Sequence, residues 1–245
     1  MKKRFLGVLL SVAMVAAVLA GCGSSGAKET AAPAGSETEA ASETEAASEA
    51  ASGETEAAGN TGDVITVGFS QVGAESDWRT ANSESMKSTF STENGYNLIF
   101  DDAQQKQENQ IAAIRNFIQQ EVDYIVLAPV TESGWDTVLQ EAKDAEIPVI
   151  IVDRMVNVSD DSLYTAWVGS NFKLEGQKAC EWLKQYAAAK NMSEVNIVDI
   201  QGTIGASAQI GRTEALNEAV EANGWNLLAQ QTGEFTQAKG QEVME

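Results

Sequence analysis

The residues best suited to chemistry follow the apolar runs of the chain, where charged, hydroxyl and aromatic side chains cluster. The candidate site residues are Glu75, Ser76, Asp77, Trp78, Arg79, Asp153, Arg154 and Arg212. Neighbouring Asp and Arg groups bind vicinal hydroxyls through two hydrogen bonds, and a flat aromatic ring covers an apolar C–H face. These residue types predict a site for a neutral sugar.

Several of these residues also have a purely structural interpretation. In one alternative, Trp78 begins a helix and packs into the hydrophobic core. Asp153 and Arg154 form a surface ion pair in another, and such pairs contribute almost nothing to stability. Glu75 is then a solvated loop or helix-cap charge. Residue types alone leave these alternatives open.

The elements that must position these residues alternate in type along the chain. Apolar runs predict strands at 65–69, 96–100, 124–129, 149–152, 163–168, 195–201 and 225–231. Apolar spacing of three to four residues predicts helices at 77–94, 111–118, 135–142, 171–190, 207–223 and from 236 onward. Apolar strands that alternate with helices indicate an α/β fold with parallel sheets covered on both faces. Ligands bind beyond the carboxyl ends of such strands.

Other polar residues follow these strand ends and are weaker candidates. They are Asp101, Asp102, Gln104, Thr131, Thr203 and Ser207. The loop GTIGAS at 202–207 contains a GxxG pattern that could hold a phosphate at a helix N-terminus. That pattern is unspecific, and the sequence has no Walker A motif and no full GxGxxG motif.

Composition excludes several classes of protein. The chain has 245 residues, 16 Lys and Arg against 36 Asp and Glu, and no His, which gives a net charge of −20. Such a polyanion disfavours binding to nucleic acids. Without His, Ser-His-Asp triads and His-containing zinc sites cannot form. Two cysteines, Cys22 and Cys180, cannot build a thiolate zinc cage; we expect Cys180 to be a buried, inert thiol within a helix, and we expect no metal and no cofactor.

The first 22 residues resemble an export signal. Three basic residues precede an apolar run from Phe5 to Ala20, which is short for a membrane span, and the sequence LAGC ends at Cys22. This ending resembles the lipobox of bacterial lipoproteins. We expect residues 1–22 to be a signal peptide, Cys22 to be lipidated and the protein to be anchored to a membrane outside the cytoplasm. An ordinary signal with an incidental cysteine is the alternative.

Residues 23–62 have the composition of a tether. Between 29 and 58 the chain uses Ala, Glu, Ser, Thr, Gly and one Pro, and SETEAA at 36–41 is repeated at 42–47. Nothing larger than Ala is available for burial, and like charges repel one another. We expect this acidic segment to be disordered.

Five stretches carry a resemblance to a known family. They are VGFSQVGAESDWR (67–79), QQKQENQIAAIRNFI (104–118), APVTESGW (128–135), EAKDAEIPVIIVDR (141–154) and QGTIGAS (201–207). Residues 64–245 resemble the type I periplasmic sugar-binding proteins of ABC importers, in particular the galactofuranose-binding branch.

This resemblance implies two doubly wound parallel-sheet lobes, 63–168 and 169–245, that close on a monosaccharide. It implies a monomer without catalytic activity that delivers the sugar to ABC permease subunits. The segment 75–79, Arg154 and Arg212 match sugar-binding positions of the branch, and Asp153 matches one of the wider family. Two departures are Asp77, where the branch has a glycine, and Gln237, where it has a basic residue.

The same resemblance bears on the chain end. Later loops that supply an Asn and an Asp to the sugar, and the strands that return to the first lobe, are absent from the 245 residues. The second lobe is therefore expected to be incomplete. Without the return strands the first lobe is expected to expose an unpaired sheet edge and apolar surface, and residues 63–245 alone are expected to be marginally stable and to bind sugar weakly.

Three other functions are alternatives for a chain with this sequence. A repressor of the LacI type shares the fold, but it carries a basic helix-turn-helix where this chain has an export signal. A glycoside hydrolase needs a protonated carboxyl group, which the arginines beside Glu75 and Asp153 disfavour. A co-receptor that presents sugar to a membrane sensor kinase or chemoreceptor would use the same pocket and remains an alternative.

Overall fold

The computed structural model describes residues 64–245, so the predicted signal peptide, Cys22 and the tether lie outside the described residues. The strands are β1 Ile65–Gln71, β2 Tyr96–Asp102, β3 Tyr124–Leu127, β4 Val149–Asp153, β5 Ala166–Gly169, β6 Asn196–Gln201 and β7 Asn226–Thr232. The helices are α1 Asp77–Thr89, α2 Gln107–Gln119, α3 Asp136–Asp144, α4 Phe172–Ala189, α5 Ser207–Asn223 and α6 Gln237–Met244. None of the helices within 64–245 is both long and apolar enough to cross a membrane. The alternation confirms the predicted α/β fold.

Two parallel sheets organise these elements. The first has the strand order β2-β1-β3-β4-β5, and the second pairs β6 with β7. Gln71 pairs with Asp102 and Asp153 with Gly169, so the carboxyl ends of the first sheet meet along one edge. We call residues 64–169 the five-stranded half and residues 170–245 the two-stranded half. Residues 64–245 belong to one compact unit, and the division into lobes after residue 168 stays a prediction.

Helices cover both faces of the first sheet. Along β3, Ile125 and Leu127 pack into one core cluster and Val126 packs into the other, because neighbouring side chains of a strand point to opposite faces. Helices α2 and α3 supply Ile114, Phe117, Val138 and Leu139 to the first cluster, and α1 supplies Met86 to the second. The fully apolar run of β3 is explained by this burial from both sides.

Two predicted boundaries in the five-stranded half were wrong. The helix expected at 77–94 ends at Thr89, and a separate 3-10 turn, Thr92–Asn94, ends on Gly95 in the left-handed region at φ 85°. The strand expected from residue 163 begins at Ala166. Leu163 instead ends a 3-10 turn that is capped by Asp160, whose carboxylate accepts from the Ser162 backbone N–H at 2.9 Å.

The two-stranded half is less completely covered. Val198, Ile200 and Leu228 are exposed although they lie in β6 and β7. The prediction that both faces of every sheet are covered is therefore wrong for this sheet. Its strands alternate between exposed and partly buried residues, which is the pattern of a sheet with one open face.

Helices α4 and α5 pack closely against each other. Gly176 has no side chain, and a Cβ there would press against Ala215 and the backbone of Arg212. Cys180 of α4 is half-buried rather than buried, with its Sγ 3.9 Å from the Ala215 carbonyl oxygen. Burial and the charge of Asp199 raise the pKa of this thiol, which agrees with the expected inert cysteine.

Candidate ligand-binding site

A cavity of about 330 Å³ lies between the two halves at the carboxyl ends of β1 and β4. Its lining residues are Glu75, Ser76, Trp78, Arg79, Asp153, Arg154, Ser170, Phe172, Glu175, Ala208, Arg212 and Phe235. Both halves contribute to it. The volume lies at the lower end of the range of about 300–1,000 Å³ that is usual for small-molecule sites, and eight of the twelve lining residues are polar or charged.

Arg79 is held at the start of α1. Ser76 caps this helix, and its hydroxyl accepts from the Arg79 backbone N–H at 3.2 Å. The Arg79 side chain is 3% exposed; its Nε lies 3.3 Å from Glu75 Oε1 and its NH2 lies 2.9 Å from Asp153 Oδ2. Two carboxylates from different loops thus fix one guanidinium group.

Arg154 is the second buried arginine, with 4% of its side chain exposed. Its NH1 donates to the Val130 carbonyl oxygen at 3.1 Å, and its NH2 lies 3.9 Å from Glu75 Oε1. Burial and repulsion by Arg79 lower the pKa of Arg154 to about 10, so the group stays charged at neutral pH. A surface ion pair is therefore the wrong interpretation of Asp153 and Arg154.

Glu75 forms ion pairs with both buried arginines. Its side chain is 2% exposed, and Oε1 faces both Arg79 and Arg154, while Oε2 has no hydrogen-bond partner among the described residues. The interpretation of Glu75 as a solvated loop charge is wrong. Removal of this carboxylate would leave two buried guanidinium groups with less compensation.

Asp153 lies at the end of β4, where the backbone of β5 approaches it closely. Its φ of 63° lies in the left-handed region, which Asp tolerates better than most residues. The Trp167 indole N–H donates to the Asp153 carbonyl oxygen at 3.3 Å. Any Cβ at Gly169 would collide with that same carbonyl oxygen. The glycine thus allows β5 to approach the loop that carries Asp153.

Trp78 presents its ring to the cavity. The side chain is 56% exposed, which contradicts the alternative that it packs into the core. Its ring centroid lies 4.7 Å from the Arg79 guanidinium carbon. This cation–π contact fixes the plane of an aromatic face that remains open to a ligand.

The two-stranded half supplies a second charged pair and an aromatic ring. Arg212 of α5 donates to Glu175 Oε2 of α4 at 2.8 Å, and its guanidinium carbon lies 5.0 Å from the centre of the Phe172 ring. The Arg212 side chain is 46% exposed. This pair is solvated, unlike the buried arginines of the five-stranded half.

Phe235 connects the halves across the cavity. Its φ of 58° is unusual for an aromatic residue, and its ring lies against Gly202, where any Cβ would overlap it. The Arg154 guanidinium carbon is 4.8 Å from the ring centre. Phe235 therefore forms a wall that contacts a buried cation of the other half.

The cavity is electrically balanced although the chain carries a charge of −20. Its ionisable lining residues comprise three arginines, 79, 154 and 212, and three carboxylates, 75, 153 and 175. No cluster of three or more potential metal ligands occurs in the part of the chain that the structure describes. The arrangement suits a neutral ligand with many hydroxyl groups.

Seven of the eight predicted ligand residues line the cavity, and Asp77 does not. Asp77 is exposed at the first position of α1, where a negative charge favours the positive end of the helix. The weaker candidates do not line the cavity either. Gln237 is likewise exposed and outside the cavity lining.

The GTIGAS loop joins the halves. The Glu132 backbone N–H donates to the Gly205 carbonyl oxygen at 2.8 Å, and the Met155 backbone N–H donates to Ser207 Oγ at 2.9 Å. Ser207 thus binds the five-stranded half beside Arg154.

Sequence reasoning missed four lining residues with functional side chains: Ser170, Phe172, Glu175 and Phe235. All of them follow the carboxyl ends of β5 or β7. The rule that identified Asp153 and Trp78 therefore applies to them as well. The signal was present, because Ser170 and Phe172 come directly after a predicted strand and Phe235 comes between a predicted strand and a predicted helix.

Residues 67–245 match the model of a protein family described as "periplasmic binding protein domain". The match covers the cavity and both sheets.

Similar proteins have been named as sugar binders. The chain is 47% identical over 182 residues to the galactofuranose-binding protein YtfQ of Escherichia coli strain K12, covering 74% of this chain and 56% of that protein. It therefore spans little more than half the length of this relative.

Two solved structures are similar as well. One, from Mycobacterium smegmatis in complex with β-D-fucofuranose, has a TM-score of 0.69 and 48% identity, and covers 74% of this chain and 59% of that one. The other is the binding component of the arabinose ABC transporter of Shewanella sp. ANA-3, bound to α- and β-L-arabinofuranose. It has a TM-score of 0.67 and 50% identity, and covers 74% of this chain and 58% of that one.

Proposed function

The chain belongs to the periplasmic binding protein domain family, and from that premise we propose that it binds a monosaccharide in the cavity between its halves. The sugar is held by hydrogen bonds and released unchanged, without catalysis. We propose further that the bound sugar is delivered to the permease of an ABC importer. The similar proteins support this role, since the Shewanella relative is named as the binding component of such a transporter.

The observation that carries the proposal is the pair of buried arginines at the cavity. Arg79 and Arg154 are almost completely buried, yet both line the cavity together with Asp153 and Glu75. Burial of charged groups is costly unless they are paired and hydrogen-bonded. A network of this kind presents fixed donors and acceptors, which vicinal hydroxyls of a sugar can satisfy.

We propose a furanose as the ligand, with galactofuranose as the best candidate. The support comes from similar proteins, whose names or bound ligands include galactofuranose, fucofuranose and arabinofuranose. The balanced charge of the cavity favours a neutral aldose over a uronic acid or a sugar phosphate, since an added negative charge would have to compete with Glu75, Asp153 and Glu175 for the arginines.

Calorimetry with matched sugars tests this proposal. Methyl β-D-galactofuranoside should bind the full chain, whereas methyl β-D-galactopyranoside, of the same composition, should bind at least about tenfold more weakly. Galacturonate is the charged control and should not compete. Equal affinity for the two ring forms would remove the furanose preference, and absence of binding by any neutral monosaccharide would refute the function.

We also propose that the protein acts outside the cytoplasm, anchored through a lipid on Cys22. The support is the sequence LAGC after a basic and apolar start. Cys22→Ser should release the protein into the medium or leave the precursor unprocessed. Membrane retention of a correctly cleaved Cys22→Ser protein would contradict the anchor, and a mass spectrum of the wild-type N-terminus checks it directly.

A further inference from the structure

Gln71 is a fully buried polar residue beside the cavity but not in its lining. It is the last residue of β1 and is 0% exposed, between the end of the strand and the first turns of α1. A buried amide side chain must satisfy its hydrogen-bonding groups within the protein, because water cannot reach them.

All four hydrogen-bonding positions of the Gln71 amide are occupied. Its Oε1 accepts from the Val72 backbone N–H at 3.0 Å and from Arg79 NH1 at 3.2 Å. Its Nε2 donates to Asn82 Oδ1 at 2.8 Å and to Ser83 Oγ at 3.0 Å. The amide has one orientation, since exchange of its oxygen and nitrogen would place an NH₂ group against two N–H donors.

Gln71 completes a frame around the Arg79 guanidinium group. Glu75 binds Nε, Asp153 binds NH2 and Gln71 binds NH1, so each of the three nitrogens has a partner. A guanidinium group has five N–H donors, and two of them, one on each terminal nitrogen, have no partner among the described residues. The frame therefore determines where these two remaining donors point.

We propose that Gln71 is a positioning residue for the ligand site. It sets the plane of the Arg79 guanidinium group and so directs the two free N–H donors at the sugar, which it does not itself touch. This inference rests on the proposed sugar-binding function.

Two substitutions separate the contacts of Gln71. Gln71→Met keeps the length and approximate volume of the side chain and removes all four hydrogen bonds. Gln71→Glu keeps the two acceptor contacts with Val72 and Arg79 and loses the two donor contacts. Asn82 can restore one by turning its amide nitrogen toward the new carboxylate, and Ser83 the other by turning its hydroxyl hydrogen away from the Arg79 carbonyl oxygen. Gln71→Met should therefore allow the Arg79 guanidinium group to rotate, whereas Gln71→Glu should keep it fixed.

The first arm of the test needs no sugar. Rotation of the Arg79 guanidinium group about its Nε–Cζ bond is followed by arginine side-chain NMR of the full chain. We expect slow rotation in the wild type and in Gln71→Glu, and clearly faster rotation in Gln71→Met. Unchanged rotation in a folded Gln71→Met protein would overturn the proposal, whatever ligand the site binds.

The second arm measures binding of methyl β-D-galactofuranoside. Gln71→Met should weaken binding at least about fivefold, because a freely rotating guanidinium group must be ordered when the sugar binds, and Gln71→Glu should recover most of the loss. In an Arg79→Lys background, where Lys offers no NH1, Gln71→Met should change affinity less than about twofold. An equal loss in both backgrounds would contradict action through Arg79.

Ile114→Ala is the control for lost stability. Ile114 is fully buried in the core and does not line the cavity. Its truncation should lower the melting temperature at least as much as Gln71→Met while leaving the affinity near that of the wild type. Failure of the wild type to bind the furanoside would refute the proposed ligand, and the rotation measurement would still decide the role of Gln71.

Discussion

The two halves of the molecule build their shares of the cavity in different ways. In the five-stranded half, Arg79 and Arg154 are buried. Arg79 makes three side-chain hydrogen bonds, and Arg154 makes one to the Val130 carbonyl oxygen and lies within 4.0 Å of two carboxylates. In the two-stranded half, Arg212 and Glu175 pair on an exposed surface, and β6 and β7 leave apolar side chains in solvent.

The difference follows from the cores beneath them. Strands β1, β3 and β4 are packed between helices on both faces, so their ends and the loops that follow are fixed. A group held by a packed framework loses little entropy when it binds a ligand, whereas a solvated group must be ordered and desolvated first. We infer that the five-stranded half provides a preformed part of the site and the two-stranded half an adaptable part.

The largest expected effect is that of the buried arginine Arg154. Arg154→Ala should weaken sugar binding about 10- to 100-fold, since hydrogen bonds to charged groups contribute about 1.5–3 kcal/mol each. The exposed arginine is the matched comparison: Arg212→Ala should cost less than about tenfold, because its ion pair is already solvated. Calorimetry on both variants measures the two losses. A greater loss for Arg212→Ala would reverse the roles of the two halves.

The next effect concerns the aromatic face of Trp78. Trp78→Ala should weaken binding about five- to tenfold, because the sugar loses the stacking surface and Arg79 loses its cation–π contact. Trp182→Ala is the control, because Trp182 is also an exposed tryptophan and also stacks, on Tyr186, but does not line the cavity. If titrations give equal affinities for Trp78→Ala and Trp182→Ala, Trp78 does not contact the ligand.

The smallest expected effect is on thermal stability. It is measured by comparing one partly buried carboxyl group from each half. Burial, with repulsion from Asp102, raises the pKa of Asp101, whose Oδ1 has no partner among the described residues. Burial also raises the pKa of Asp199, but Gln230 and Gln201 oppose the shift by donating hydrogen bonds.

A carboxyl group with a raised pKa in the folded state destabilises the fold at neutral pH, and the effect disappears as the pH falls through that pKa. Asp101→Asn should therefore raise the melting temperature by about 1–3 °C at pH 7, and the gain should shrink towards pH 4. Asp199→Asn should gain less, since its carboxylate has donors to lose. Thermal melts at both pH values check the order, and a larger gain for Asp199→Asn would contradict it.

The sequence predicted the preformed part of the site better than the adaptable part, and the reason is physical. In the five-stranded half, continuous apolar runs such as VIIV at 149–152 mark strand ends clearly, and Asp153 and Arg154 follow directly. In the two-stranded half, β6 has the sequence NIVDIQ, with apolar residues on both faces, so its open face could not be inferred from the sequence.

The sequence did not indicate that these polar and charged residues would be buried. Gln71, Glu75 and Arg154 are polar, and polar residues are mostly exposed. They are buried here because they satisfy one another across distant loops, as in the pair Arg79 and Asp153, which have a sequence separation of 74. Such partners cannot be identified from local spacing. Gln71 at the end of an apolar strand is the signal that was overlooked.

Hydrogen exchange followed by mass spectrometry tests the central claim most directly. Amides of the loops that carry Arg79 and Arg154 should already be protected without sugar and should change little on addition of methyl β-D-galactofuranoside. Amides at 202–212 and 233–237 should exchange faster without sugar and become protected with it. If the sugar instead protects the loops at 75–79 and 153–156 and leaves the two-stranded half unchanged, the division into a preformed and an adaptable part is wrong.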